Sequence, residues 1–331
     1  MRRILEMSIL LLSIALLVPL IVARNVPRAP AVAPPSEASS PIEAGFDTHV
    51  TDSEITFSVL SGDLTATVTM AQYLPGTLAG EMPASFEPEA LKAQAVAART
   101  YILHCAERTN PKHPSASVCD DSHCCKAYLD EQALRERWGE NFDDYYARIC
   151  LAVSETDGER LLYAGSPIQA VFHSSSAVRT EASANIWLPL PYLVSVESIE
   201  SEDNVPNYIS YLELSPEELR NTLDIFFPEA DLSSDPAAWL GETQLLTSGR
   251  VACIRIGDAQ IPGSDLRELF SLRSTSFTLE YTENGSFLFT VTGYGHGVGM
   301  SQYGANAMAK SGTGYREILS HYYPGTELTS E

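Results

Sequence analysis

The chain has 331 residues, with 21 Lys and Arg against 43 Asp and Glu, giving a formal net charge of −22. At roughly 150 residues per domain this length suggests about two domains and at least one full core, and a composition of 44% hydrophobic and 19% charged residues excludes a chain disordered throughout. The acidity argues against a nucleic-acid binder, which needs a basic stripe to displace counterions from phosphates, so an anionic partner would require a local basic pocket.

Arg2 and Arg3 precede an almost unbroken apolar run from Met7 to Ala23, closed by Arg24. Its length is at the short limit for a membrane-spanning helix and is also compatible with a signal peptide. Ile21-Val22-Ala23 offers a small residue only at the last position before a cut, which favours an uncleaved anchor. Basic residues ahead of the span place the N-terminus in the cytoplasm and everything beyond Arg24 outside. The stretch 25–49 opens NVPRAPAVAPPSEASSPIEA, rich in Pro, Ala and Ser without an apolar period, and reads as an extended tether.

The folded part opens with alternating strand-like pieces, Ile55 to Leu60 and Leu64 to Met70. Glu87 to Leu103 has the marks of a helix: Pro88 fits the first turn, acids sit at the positive end, and alanines fill the middle. Leu91, Ala95, Ala98 and Ile102 share a face. So many alanines let other backbones approach closely, which makes this helix central. Arg99 stands out on it: the side chain reaches a surface, or it meets an acid or a substrate oxygen.

Farther on, Arg160 to Tyr163 and Ile168 to His173 read as a strand pair, and Ser215-Pro-Glu-Glu as a capping box opening a short helix to about Phe226. Val251 to Ile256 and Ala259 to Ile261 form a hairpin around Gly257-Asp258. Phe277 to Tyr281 and Phe287 to Val291 form a second around Asn284-Gly285, the clearest in the chain. Strands and helices without a βαβ rhythm indicate an α+β fold, with mixed or antiparallel sheets and the Ala-rich helix at the centre.

Between His113 and Cys125 lie two histidines and three cysteines, in a loop of Ser, Asp and Pro. This exceeds the four ligands of a tetrahedral zinc, and the reading is a structural zinc on His113, Cys119, His123 and Cys124, with Cys125 as substitute. A disulfide is the competing reading, since an extracytoplasmic location permits oxidation, but adjacent Cys124 and Cys125 do not easily bridge each other and the histidines stay unexplained. Cys105, Cys150 and Cys253 read as isolated buried thiols.

Five blocks in order carry a family resemblance. They are Tyr73-Leu-Pro-Gly-Thr-Leu-Ala-Gly-Glu-Met-Pro-Ala-Ser-Phe, Glu89-Ala-Leu-Lys-Ala-Gln-Ala-Val-Ala-Ala-Arg-Thr-Tyr, Phe172-His-Ser-Ser-Ser with Thr180-Glu181, Pro191-Tyr-Leu, and Gly293-Tyr-Gly-His-Gly-Val-Gly-Met-Ser-Gln-Tyr-Gly-Ala. Together they resemble the stage II sporulation protein D (SpoIID/LytB) family from about Ile55 to Leu328. Ala177-Val178 departs from it, since many relatives carry glycine after the serines. The resemblance implies a membrane-anchored lytic transglycosylase that cuts peptidoglycan glycan strands during engulfment in sporulating bacteria. It also implies a companion wall amidase that strips stem peptides and a membrane protein that recruits both. The expected organisation is an anchor (1–24), a tether (25–49), a core (50–195 and 276–331) and an inserted subdomain (196–275).

Cleaving a β-1,4 glycosidic bond needs an acid for the leaving oxygen and relief of the oxocarbenium ion on the other side. Hydrolases supply a second carboxylate; a lytic transglycosylase uses the muramic C6 hydroxyl of its substrate, so one glutamate serves as acid and then base. By residue type alone Glu81, between Gly80 and Met82-Pro83, is a loop acid like many others. The resemblance aligns it with the family's catalytic glutamate, and Arg99 with a second active-site residue that would bind the lactyl carboxylate or hold Glu81. Tyr192 and Tyr303 are candidates for sugar stacking. His296 and Gln302, in the Gly293 to Gly304 segment, are candidates to line the groove, the alternative being a glycine-rich turn packed on the core. Two other classes stay open: a non-catalytic glycan-binding enhancer of a wall amidase, and a hydrolase using the Cys/His cluster or His173 with Ser174 to Ser176. The last is disfavoured because neither G-x-S-x-G nor H-E-x-x-H occurs.

Overall fold

The computed structural model describes residues 51–121 and 124–330. The apolar run, the tether and His123 lie outside them, and among the described residues no helix is long and apolar enough to cross a membrane. The first part comprises α1 (Thr51–Glu54), β1 (Thr56–Ser61), β2 (Leu64–Thr69), α2 (Met70–Glu81), α3 (Pro88–Ala106), β3 (Val118–Cys119), α4 (Glu131–Trp138), α5 (Phe142–Ser154), β4 (Arg160–Tyr163), β5 (Ser166–Pro167) and β6 (Phe172–His173). The second runs through β7 (Ile209–Leu214), α6 (Pro216–Phe226), β8 (Leu240–Leu245), β9 (Val251–Ile256), β10 (Ala259–Pro262), α7 (Gly263–Leu269), β11 (Phe277–Tyr281) and β12 (Phe287–Thr292). The chain then closes with β13 (Met300–Ser301), α8 (Gln302–Lys310), α9 (Tyr315–Tyr322) and β14 (Glu327–Thr329).

The α3 helix is the axis of the first core. Ala90, Ala93, Ala95, Ala97 and Ala98 are all buried, and with no bulk on any side α3 accepts α2, α5, α8, α9 and β4 against it. The α2 helix begins with a capping box: Thr69 Oγ1 accepts from the Gln72 N–H, and the Gln72 side chain accepts from the Thr69 N–H. It continues past Pro75, so Glu81 is the last residue of a helix rather than part of a loop. Gly76 is what makes this helix fit. A Cβ there would lie 2.5 Å from both the Leu129 carbonyl and the Tyr128 ring, and the Leu129 N–H bonds the Gly76 carbonyl at 3.2 Å.

Strand pairing is mixed. β3 joins β1 and β13 joins β6 in parallel, whereas β4 pairs antiparallel with β5 and β14. The expected strand Ile168 to His173 is reduced to its last two residues. The Ala170 and Val171 N–H groups bond back to the Ile168 and Gln169 carbonyls, tight turns that take this backbone out of a ladder.

A second apolar cluster includes Leu219, Leu223, Trp239, Ile254, Phe287 and Phe289. Two antiparallel sheets, β10-β9-β8 and β11-β12-β7, enclose it with α6; the α6 capping box on Ser215 and Glu218 is present. Because β12 pairs with β7, placing Phe289 opposite Leu212, the β11–β12 hairpin belongs to the second cluster. The segment before β7 stays with the first core: Ser198 Oγ bonds the Tyr322 hydroxyl, and the Ser176 N–H donates to Glu200.

Candidate active site

Glu81 is half-buried at the C-terminal end of α2. The Ala127 N–H donates to Oε1 at 2.9 Å, and Gln302 Nε2 donates to the Glu81 backbone carbonyl at 2.9 Å. Oε2 has no hydrogen-bond partner among the described residues. One carboxylate oxygen is therefore fixed and the other left for a ligand. Gln302 starts α8, whose N-cap Ser301 accepts from the Gly304 N–H; it is buried and also reaches Gln94, so it positions Glu81 rather than lining a groove.

Lys126 escaped the reading of the sequence. Its ammonium is buried 3.6 Å from the Phe172 ring centroid and 4.1 Å from that of Tyr101, held by the ring faces. Burial pushes its pKa down, opposed by the charges of Glu81, Cys105 and Cys125. Nothing in local sequence distinguishes this lysine from a surface one; the clue is its place directly after Cys124-Cys125.

Arg99 is corrected. Its side chain is fully buried, with Nε and Nη2 on the Asp52 carboxylate at 2.8 and 2.6 Å and Nη1 on the Glu159 carbonyl at 3.1 Å. The guanidinium ties α1 to α3 and the start of β4, and it touches neither Glu81 nor a cleft. Tyr192 is corrected as well: it is buried, its ring tilted against Tyr163 and its hydroxyl accepting from the Gln169 N–H. Tyr303 is part-buried, edge-on to Phe86 at 4.9 Å.

His296 lines a cleft of about 710 Å³, and one ring nitrogen is engaged by backbone. Nδ1 accepts from the Val298 N–H at 3.0 Å. Burial first, and then the cations Lys126, Arg267 and Arg250, push its pKa down to about 3, so it is neutral. The Gly293–Gly304 segment packs on the core. At Gly299 (φ 73°) a Cβ would sit 2.0 Å from the Val171 carbonyl, and at Gly297 (φ 83°) 2.4 Å from the Arg250 guanidinium. His173 Nε2 lies 2.6 Å from Ser176 Oγ, a nucleophile–base spacing. Ser176 is fully buried and His173 Nδ1 faces the Val298 carbonyl, so this pair is enclosed framework without substrate access.

His113, Cys119, Cys124 and Cys125 come together, their ligand atoms all within 4.8 Å of one another. Cys125, the expected substitute, is part of this group, and His123 lies outside the described residues. His113 Nδ1 is 3.0 Å from the Ala116 carbonyl, which as an N–H···O bond leaves Nε2 turned to the sulfurs, 3.2 Å from Cys125 Sγ. The donor set and spacing fit a tetrahedral zinc. The loop is coupled to Glu81, because Cys125 is two residues from the Ala127 N–H that holds the carboxylate.

Residues 61–163 match the family model SpoIID, described as stage II sporulation protein. The chain is 37% identical over 265 residues to stage II sporulation protein D of Bacillus subtilis (strain 168), covering 79% of this chain and 75% of the relative. To that of Bacillus amyloliquefaciens it is 36% identical over 266 residues, covering 79% and 74%. The chain belongs to the SpoIID family. A more distant relative, an amidase enhancer of Bacillus subtilis, is 30% identical over 309 residues, covering 78% of this chain and 40% of that one. The SpoIID match spans α2, α3 and the Cys/His loop, the elements that build the Glu81 site.

Proposed function

We propose that this SpoIID-family chain is a peptidoglycan lytic transglycosylase. It cleaves the β-1,4 bond between N-acetylmuramic acid and N-acetylglucosamine, leaves 1,6-anhydro ends, and acts in engulfment during sporulation. The observation that carries this reading is the Glu81 carboxylate, fixed through Oε1 by the Ala127 N–H while Oε2 has no hydrogen-bond partner among the described residues. Protonated Glu81 gives its proton to the glycosidic oxygen as the bond to the anomeric carbon breaks. The resulting carboxylate then takes the proton of the muramic C6 hydroxyl, whose oxygen closes on the anomeric carbon. No second carboxylate is needed, and the groups at Glu81 are a backbone N–H, an amide and the Lys126 charge. His113, Cys119, Cys124 and Cys125 would hold a structural zinc that fixes the loop behind Ala127. The apolar run 7–23 would anchor the chain in the cell membrane, with the tether carrying the domain toward the wall, a stripping amidase and a shared membrane recruiter.

A second reading, a non-catalytic glycan-binding enhancer of an amidase, is favoured by the amidase-enhancer relative. Glu81→Gln separates the two: under the enzyme reading strand cleavage falls about 10²- to 10⁴-fold while glycan binding persists. Amidase stimulation by a wild-type protein that cuts nothing would favour the enhancer.

A further inference from the structure

The cleft beside His296 has an electrostatic character opposite to that of the chain. It is lined by Arg267, Arg273, Tyr294 and His296, with Glu268 as its one carboxylate. Arg267, from α7, is half-buried; its Nε donates to the Leu272 carbonyl at 3.3 Å, and burial pushes its pKa down, opposed by Tyr294. Arg273 stacks 4.6 Å from the Tyr294 ring centroid and gives Nη1 to the Asn207 carbonyl. Among the described residues neither guanidinium pairs with a carboxylate. Arg250, buried behind the glycine loop, differs: Glu181 and Glu200 act on it. The cleft thus presents two uncompensated guanidinium groups in a protein of net charge −22.

The walls suit a sugar. Tyr294 is 48% exposed, and Trp187, whose ring meets His296 edge-on at 5.1 Å, is 47% exposed; large exposed aromatics beside polar groups offer faces for pyranose rings. The Lys126 charge acts on both Glu81 and His296, which lines the cleft.

We propose that Arg267 and Arg273, from the inserted subdomain, form a subsite for carboxylates carried on a glycan strand, with Tyr294 and Trp187 stacking on the sugar. This rests on the glycan-strand reading above and adds the chemical feature recognised. A guanidinium fork matches a carboxylate in shape and charge, and the overall negative field makes such a local basic site necessary for an acidic ligand to bind. The carboxylate is either the lactyl group of muramic acid or a carboxylate of an attached peptide.

The test is binding, read by calorimetry on the full chain in detergent with Glu81→Gln, so that no cleavage is required. The probes are a muramyl-containing tetrasaccharide with free lactyl groups, the same strand bearing peptides, and neutral chitotetraose. The expected result is at least tenfold tighter binding of a carboxylated probe than of chitotetraose, lost on raising salt and lost in Arg267→Gln/Arg273→Gln. Chitotetraose affinity should stay within about twofold, and Arg273→Lys should restore binding in part. Stronger binding of the free-lactyl strand assigns the lactyl group; stronger binding of the peptide strand assigns the peptide. Equal affinity for neutral and carboxylated probes, or undiminished binding by a double variant whose melting temperature is unchanged, overturns the subsite. Loss of anhydro products with the carboxylate preference intact would overturn the chemistry and leave the subsite standing.

Discussion

Arg99 and Glu81 illustrate how differently two charged residues can be used within one site region. Arg99 sits on a helix of alanines because its partner comes from outside that helix: Asp52 in α1 meets it in a fully buried ion pair, and Asp52 Oδ1 also accepts from the Gly158 N–H. Removing the arginine strands a buried carboxylate, so Arg99→Ala should destabilise the fold by about 3–5 kcal/mol. Urea denaturation checks this, and lost activity in that variant should track lost folded protein. Glu81 has the reverse design, with a fixed backbone, one tethered oxygen and one left open. A cation alone on a small-sided helix signals an unusual environment, but whether that environment is a cleft or an acid depends on Asp52, 47 residues away. Sequence spacing does not carry that information.

At the scale of elements, the alanine helix, the two insertion hairpins and the Ser215 capping box were legible because their signals are local: an N1 proline, alternating apolar residues, an Asn-Gly turn. The α2 helix was not, since Pro75, Gly76 and Gly80 argue against a helix and only the segment 127–129 packed on them explains it. Long-range pairing likewise joins the β11–β12 hairpin to β7. Tyr192 looked like a ligand residue by type, whereas burial and a backbone hydrogen bond engage its hydroxyl. The close approach at Gly76 gives a direct test. Gly76→Ala forces Tyr128 and Leu129 away and should cost about 1–3 kcal/mol, read as a lower urea midpoint at unchanged slope. The shift would propagate to Ala127 and so lower cleavage as well.

For the whole molecule, two apolar cores share one continuous frame: the first holds Glu81 and the Cys/His loop, and the second reaches back through Arg250 to the glycine segment. His113, Cys119, Cys124 and Cys125 were legible as a cluster because they fall within one short segment, and their ligand atoms lie within 4.8 Å of one another. If it holds zinc, purified protein should contain about one equivalent, and chelation should lower the melting temperature and weaken activity by releasing Ala127. Elemental analysis showing no metal would remove zinc from the account.

The central claim is that the substrate's own hydroxyl, with Glu81 as sole acid and base, completes the cut. Mass spectrometry of glycan fragments released by the wild-type protein tests it most directly. The expected products are muramic acid ends carrying the internal 1,6-anhydro ring, absent with Glu81→Gln. Reducing muramic acid ends, which carry the extra mass of water, would show that water is the acceptor and would contradict it.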